Sequence, residues 1–196
     1  HNLQTLYAMP KHKQERIARE SLEIYAPIAS RLGMAEVKGE LEDLAFKYAF
    51  PKEYEWVHHI METNVRERGA YVTKLMETAE HAIRKAGVKE VEINGRVKRL
   101  YSLYKKLGKY NNEVTKVNDM IAIRIVVEDV EDCYTALGII HQLWNPVPKR
   151  IKDYIAQPKP NGYQSLHTTI FSEDGGVAEF QIRTREMHEL AEFGVA

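Results

Sequence analysis

Met120-Ile121-Ala122-Ile123-Arg124-Ile125-Val126-Val127 decides the class of fold. Five of its eight residues are β-branched, a composition that suits a pleated, buried strand in the middle of a sheet. Further along, Val130 to Trp144 has the spacing of an amphipathic helix. Strands are predicted near Ser165 to Phe171 and Val177 to Arg183, joined by an Asp174-Gly175-Gly176 turn, and a last helix starts near Thr184, a good N-cap. In the other direction, a helix covers Leu100 to Tyr110. A short strand is predicted at Val91-Glu92-Ile93, closed by the tight-turn signal Asn94-Gly95. Helices and strands that interleave in this way predict an α+β domain with a mixed sheet.

Upstream of Gly87 the pattern is helical throughout. Ile17, Ile24, Tyr25, Ile28 and Leu32 repeat at helical spacing between Lys11 and Leu32, where Gly33 is a natural stop and Pro27 predicts a kink. A second helix runs from Ala35 to Phe50. Pro51 opens a third that reaches towards Gly87, with a break expected at Gly69. No internal repeat or low-complexity linker interrupts the chain.

Composition narrows the function classes. In 196 residues, 44% are hydrophobic and 29% charged, enough for an ordinary core. The 28 basic and 28 acidic residues cancel, so no global field favours long nucleic acid or an anionic membrane, and phosphate binding must come from local clusters. The lone Cys133 excludes an intrachain disulfide and a multi-cysteine zinc site, and inert core filler is its expected role. No signal peptide or membrane-length apolar run is present, so a cytoplasmic protein is expected. A start at His1 and a stop within a predicted helix suggest a piece of a longer protein.

Four polar stretches stand out. Gly95-Arg96-Val97-Lys98-Arg99 leads into a helix on which Ser102, Lys105, Lys106 and Lys109 share one face, with Leu100, Leu103, Leu107 and Tyr110 opposite. A solvated face explains such a stripe, and so does a polyphosphate cradle at a helix start; the stretch alone leaves both open. Asp119 opens the central strand and Arg124 is embedded in it. A buried Asp–Arg pair is one reading, but five residues apart on a straight strand the two point to opposite faces. Separate tasks suit them better: Asp119 for Mg²⁺, and Arg124 for a base or phosphate.

The third stretch runs from Arg150 to His167 and includes Lys152, Lys159, Asn161, Gly162 and Tyr163. Its prolines and glycine define a loop whose lysines and aromatic rings cannot all be buried, which is how functional loops look. Tyr163 offers a face for a purine, and His167, on one strand face with Ser165 and Thr169, reads as wet and suited to a phosphate. In the fourth stretch, alternation puts Glu179, Gln181 and Arg183 on one strand face. With Asp119, Glu179 makes a candidate two-carboxylate metal centre of the kind phosphoryl transfer requires. The chain contains no GxxxxGK[ST], HExxH, GxSxG or paired CxxC motif, so P-loop, zinc-protease and serine-hydrolase chemistry lack support.

These four stretches, in this order, closely resemble the synthetase domain of the RelA/SpoT-homologue (Rel) stringent-response enzymes. The resemblance rests on Gly95-Arg96-Val97-Lys98 with Ser102 and Lys106, on Asp119 to Arg124, on Lys152 to Thr168, and on Glu179 to Thr184 followed by Met187-His188. It covers essentially the whole chain. It implies a nucleotidyltransferase-like mixed sheet flanked by helices, with residues 1–48 a helical remnant of a hydrolase domain plus connecting helices and 49–196 the synthetase domain.

The implied reaction moves a diphosphate from ATP to the ribose 3′-hydroxyl of GDP or GTP. Asp119 and Glu179 would hold Mg²⁺ and act as the catalytic pair, with Glu179 activating the hydroxyl. Arg96 and Arg124 would sandwich adenine, with Lys98, Ser102 and Lys106 completing the ATP site. Tyr163 would stack on guanine, and Lys152, Lys159, Asn161, His167 and Gln181 would complete the acceptor site. The Arg150-Ile151-Lys152-Asp153 form resembles that of bifunctional members. The partners implied are the hydrolase and regulatory domains of a parent chain, with the ribosome reached only through other regions and no DNA or membrane contact. No hydrolase metal ligands are recognisable, so hydrolysis by this stretch is not expected. The competing reading is a catalytically silent fold that binds guanine nucleotides for regulation. A nucleotidyltransferase acting on RNA fits the neutral charge poorly.

Overall fold

The computed structural model describes residues 2–114, 117, 120–173 and 175–194. The chain divides into two compact units, His1–Thr63 with Arg99–Val117 and Ala191–Ala196, and Asn64–Lys98 with Asn118–Leu190.

The first unit is helical. Helix α1 (Lys11–Glu20) passes through a π-helical turn at Ser21–Tyr25 into α2 (Ala26–Arg31). The wider turn lies just before Pro27, which has no N–H to continue the ladder, so the expected disturbance takes this form. Gly33 ends the segment at φ 74°. The buried face is not the stripe of large side chains. Ala18, Ser21, Leu22, Ala26 and Ala29 are buried, whereas Ile24, Tyr25, Ile28 and Leu32 stay about half exposed. Small residues allow close approach to α3 (Ala35–Ala49), and Leu3, Leu6, Ala45 and Ala49 close this core.

Helix α5 (Leu100–Lys109) docks on α3 through charge as well as packing. Arg99, at its N-cap, pairs with Glu36 and Asp43, and Lys105 reaches the buried Glu42 at 2.7 Å while lying over the Tyr101 ring. Burial pushes the Asp43 carboxyl above its usual range, although the Tyr101 N–H and Arg99 oppose this. Leu103 and Leu107 are buried, as the helical spacing predicts. Helix α4 (Pro51–Lys85) is unbroken, so the break expected at Gly69 does not occur. One glycine costs a helix interior only about 1 kcal/mol, which the rest of a long helix absorbs.

The second unit contains the sheet. Its strands are β1 (Glu92–Val97), β2 (Ile121–Val127), β3 (Lys152–Asp153), β4 (Leu166–Phe171) and β5 (Val177–Thr184), in the order β1-β2-β5-β4-β3. β2 and β5 are parallel, and the other pairs are antiparallel. The turn expected at Asn94-Gly95 is absent: both residues lie inside β1, opposite Arg124 and Ile123. Pairing along the whole of β2 outweighs the local turn preference, and Gly95 packs against Val72 and Met76 of α4.

One sheet face is apolar. Ile123, Ile125, Phe180, Ile182, Leu166 and Ile170 pack with Leu75, Ala79 and Ile83 of α4 and with Cys133, Ala136 and Ile140 of α6 (Val130–Leu143). Trp144 stacks on Phe180, and His141 bonds to the Thr168 hydroxyl at 2.8 Å. Burial pushes the Cys133 thiol up to about 12, so it stays an inert thiol in the core, as expected. Helix α7 (Arg185–Phe193) starts where Thr184 Oγ1 accepts from the Met187 N–H.

Candidate functional site

Residues opposite one another in a sheet point to the same side, so strand register arranges the other face. Asn94, Arg124, Gln181, His167 and Lys152 form one row across all five strands. Arg96, Ala122, Glu179 and Thr169 form the next. Polar residues from all four sequence stretches therefore come together, although up to 85 positions separate them.

They are joined by hydrogen bonds. Arg96 Nη1 donates to Gln181 Oε1 at 3.3 Å, and Gln181 Nε2 donates to Glu179 Oε1 at 2.9 Å. The same carboxylate oxygen lies 3.2 Å from His167 Nδ1, and His167 Nε2 lies 2.8 Å from the Tyr163 hydroxyl. The side chains of His167 and Glu179 are 17% and 20% exposed, so this pair is largely shielded from water. His167 is accordingly less wet than its strand pattern implied: Tyr154 and Tyr163 both present edge-on contacts to its ring.

The loop before β4 holds these rings in place. Lys159 Nζ sits 4.5 Å from the Tyr154 ring centre and 4.7 Å from that of Tyr163, and its N–H donates to the Tyr163 carbonyl. Gly162 takes φ 78°, a conformation other residues rarely adopt, and the Tyr163 N–H donates to Asn161 Oδ1. Burial pushes the Tyr163 phenol above its ordinary value, and the Arg183 charge, a hydrogen bond with Ser165, and Arg96 and Arg124 oppose it. Three guanidinium groups thus act on one phenol, and anionic ligands suit such surroundings.

Lys152 and Asn161 are exposed, and Arg124 is half-buried within β2. Lys98 follows β1, its N–H donating to the Met120 carbonyl. Ser102 and Lys106 lie on α5, in the first unit, and are half-buried there. Lys105, from the same predicted stripe, is committed to Glu42. Asp119 lies outside the described residues. Among the described residues no group of three or more His, Cys, Asp or Glu side chains is arranged to hold a metal ion, and no helix is long and apolar enough to cross a membrane.

Two contributions were missed by sequence reasoning. Asp153 Oδ1 accepts from the N–H groups of Ile155 and Ala156, and Oδ2 accepts from the Tyr134 hydroxyl. Burial raises its carboxyl, but these bonds outweigh burial and leave its pKa below the usual range. An aspartate at a strand end is a known turn former, so the signal was present. Arg183, 1% exposed, forms a pair with His188 that ties β5 to the start of α7. Nothing in the alternation of β5 distinguishes a buried arginine from a solvated one.

Comparison with known proteins gives a consistent picture. The sequence family described as "Region found in RelA / SpoT proteins" matches residues 95–196. The whole chain is 45% identical to a GTP pyrophosphokinase of Streptomyces coelicolor, of which it covers 23%. It is 46% identical to a guanosine-3′,5′-bis(diphosphate) 3′-pyrophosphohydrolase of Aquifex aeolicus, of which it covers 28%. The chain thus spans roughly a quarter of the length of these curated relatives. Among solved structures, small alarmone synthetase 2 of Bacillus subtilis superposes with a TM-score of 0.53 at 26% identity, over 70% of this chain and 76% of that one. Small alarmone synthetase 1 of the same organism, bound to its product pppGpp, gives 0.55 at 23% identity, over 66% and 76%, and shows the fold alone.

Proposed function

The chain belongs to the RelA/SpoT family, and from that premise we propose that it carries the (p)ppGpp synthetase activity, moving a diphosphate from ATP to GDP or GTP. The observation that carries this reading is the hydrogen-bonded line from Arg96 through Gln181 and Glu179 to His167 and Tyr163. It places a cation, a carboxylate and an aromatic ring along one sheet face, which is what joining two nucleotides requires.

In this reading Glu179 takes the proton of the ribose 3′-hydroxyl, whose oxygen bonds to the β-phosphorus of ATP. The bond from that phosphorus to the bridging oxygen of the α-phosphate breaks, and AMP leaves. Gln181 and His167 fix the carboxylate for this step by directing two donors at one oxygen. Tyr163 stacks on guanine. Lys152, Lys159, Asn161 and His167 meet the acceptor's phosphates or neighbouring groups, and Gln181 belongs to the same site. Arg96 and Arg124 take adenine, Lys98 and Lys106 are assigned to the ATP phosphates, and Ser102 is assigned to ATP binding.

A divalent cation fits this chemistry. Mg²⁺ is commonly held by one or two carboxylates together with substrate phosphates, so the lack of a protein-only cluster among the described residues is no obstacle. Asp119 and Glu179 are the proposed ligands, and the ion would neutralise charge on the diphosphate in flight. We further assign residues 1–48 to a hydrolase-domain tail with connecting helices and 49–196 to the synthetase domain of a bifunctional, cytoplasmic parent.

The test is incubation of the chain with ATP, Mg²⁺ and either GDP or GTP, with products resolved by anion exchange and mass detection. AMP together with ppGpp or pppGpp is expected. Acceptor binding without AMP would replace this reading with a silent, nucleotide-binding one.

A further inference from the structure

Tyr163 carries two separable chemical features, a flat ring and a hydroxyl, and the proposed function uses only the ring. The hydroxyl lies 2.8 Å from His167 Nε2, and the other nitrogen of that imidazole lies 3.2 Å from Glu179 Oε1. A carboxylate only accepts, so Nδ1 carries the proton, and in the neutral ring Nε2 accepts from the Tyr163 O–H. The chain of donors therefore runs in one direction, from phenol to imidazole to carboxylate. The imidazole itself has little room to turn. Tyr154 meets it edge-on at 5.3 Å and Tyr163 at 5.8 Å, while Lys159 covers both tyrosines.

We propose that Tyr163 is a positioning residue for Glu179: through His167, its hydroxyl holds the carboxylate in one orientation, so the ring that receives the acceptor's base also sets the group that receives the acceptor's proton. The proposal rests on the synthetase reading above. It divides the work of one side chain into ring, for affinity, and hydroxyl, for rate. It also gives His167 a duty apart from phosphate contact, because an imidazole lacking either neighbour no longer fixes the other.

Steady-state kinetics of AMP formation at saturating ATP and varied GDP separate these roles. Tyr163→Phe keeps the ring and is expected to leave KM for GDP within about threefold while lowering kcat about tenfold or more. His167→Ala should lower kcat to a similar degree, and adding Tyr163→Phe to it should cost little more, because both changes cut the same chain. His167→Gln offers an acceptor oxygen and a donor N–H, and should recover kcat about tenfold over His167→Ala. Thermal unfolding of each variant identifies any loss of fold, and His167→Gln supplies the test if Tyr163→Phe does not fold.

A kcat for Tyr163→Phe within about twofold of the unaltered chain overturns the proposal. So does an effect on KM alone, or losses that multiply in the double variant. If the unaltered chain forms no AMP with either acceptor, the synthetase reading falls and takes this inference with it. Normal turnover with an unaffected Tyr163→Phe removes the inference alone.

Discussion

Arg183 Nη2 donates to His188 Nδ1 at 2.6 Å, one turn into the helix that follows its strand. Arginine has no acceptor and stays charged, so the bond requires a bare Nδ1 and places any proton of the neutral ring on Nε2. Arg183 is 1% exposed, and removing one of its acceptors weakens the compensation of a charge in the interior. His188→Leu should lower stability by about 2 kcal/mol. Adding Arg183→Met should return part of the loss, since an apolar pair avoids the buried charge. Denaturant midpoints check both, and an unchanged midpoint in His188→Leu would show that the pair contributes nothing.

Glu179→Gln preserves shape and an acceptor oxygen but removes the proposed base. Turnover should fall by about 10²-fold or more, while GDP and ATP binding by calorimetry stays within about threefold. A variant that still turns over would exclude Glu179 as the proton acceptor.

Gln181 links Arg96 to Glu179, accepting from the guanidinium and donating to the carboxylate. Gln181→Leu breaks both bonds at similar volume. Both a rise in KM for ATP and a fall in kcat, each about tenfold, are expected from two bonds of ordinary strength. Kinetics matching the unaltered chain would mean that Arg96 and Glu179 keep their places without it.

His141 supplies a pH dependence of stability. Burial holds its pKa below the ordinary histidine value, so the unfolded chain takes up a proton first as pH falls. Its effect is nil at high pH, where the ring is neutral in both states. It becomes unfavourable as pH drops through about 6.5 towards the lower folded value. Melting temperatures between about pH 7.5 and about pH 5 should fall less steeply in His141→Gln than in the unaltered chain. Parallel curves would refute the assignment.

Gly39 lies beneath Arg99: a Cβ there would stand 2.7 Å from the guanidinium Nε. Alanine favours the helix by about 1 kcal/mol but must push Arg99 off Glu36 and Asp43, a partly exposed set worth at most about 1 kcal/mol. Gly39→Ala alone should therefore change stability little, yet stabilise by about 1 kcal/mol in an Arg99→Ala background. Equal effects in both backgrounds would mean that the side chain moves aside freely.

Much of the sheet was legible because its strands carry strong local signals. β2 is rich in β-branched residues, and β5 alternates Glu179, Gln181 and Arg183 with Phe180 and Ile182. Asn94-Gly95 misled because a turn preference is local, whereas pairing with β2 is not. The half-exposed Ile24, Tyr25, Ile28 and Leu32 misled for a related reason: spacing identifies an apolar stripe but not which face of the helix finds a neighbour. Candidate site residues stood out by type, whereas their links did not. That Gln181 meets Arg96, or that Tyr163 reaches Glu179 through His167, follows from strand order, and no single stretch encodes strand order.

The position of β5 between β2 and β4 has a consequence during synthesis. The row that joins Arg124 to His167 has a gap at its centre until Gln181 is made, and Gln181 belongs to the last of this sheet's five described strands in chain order. Until then β2 and β4 each present an unpaired edge, the kind of surface that invites wrong partners or a chaperone. The strand that carries Glu179 and Gln181 is also the one that joins β2 to β4, so a nascent chain acquires its proposed catalytic carboxylate only as those two edges are paired.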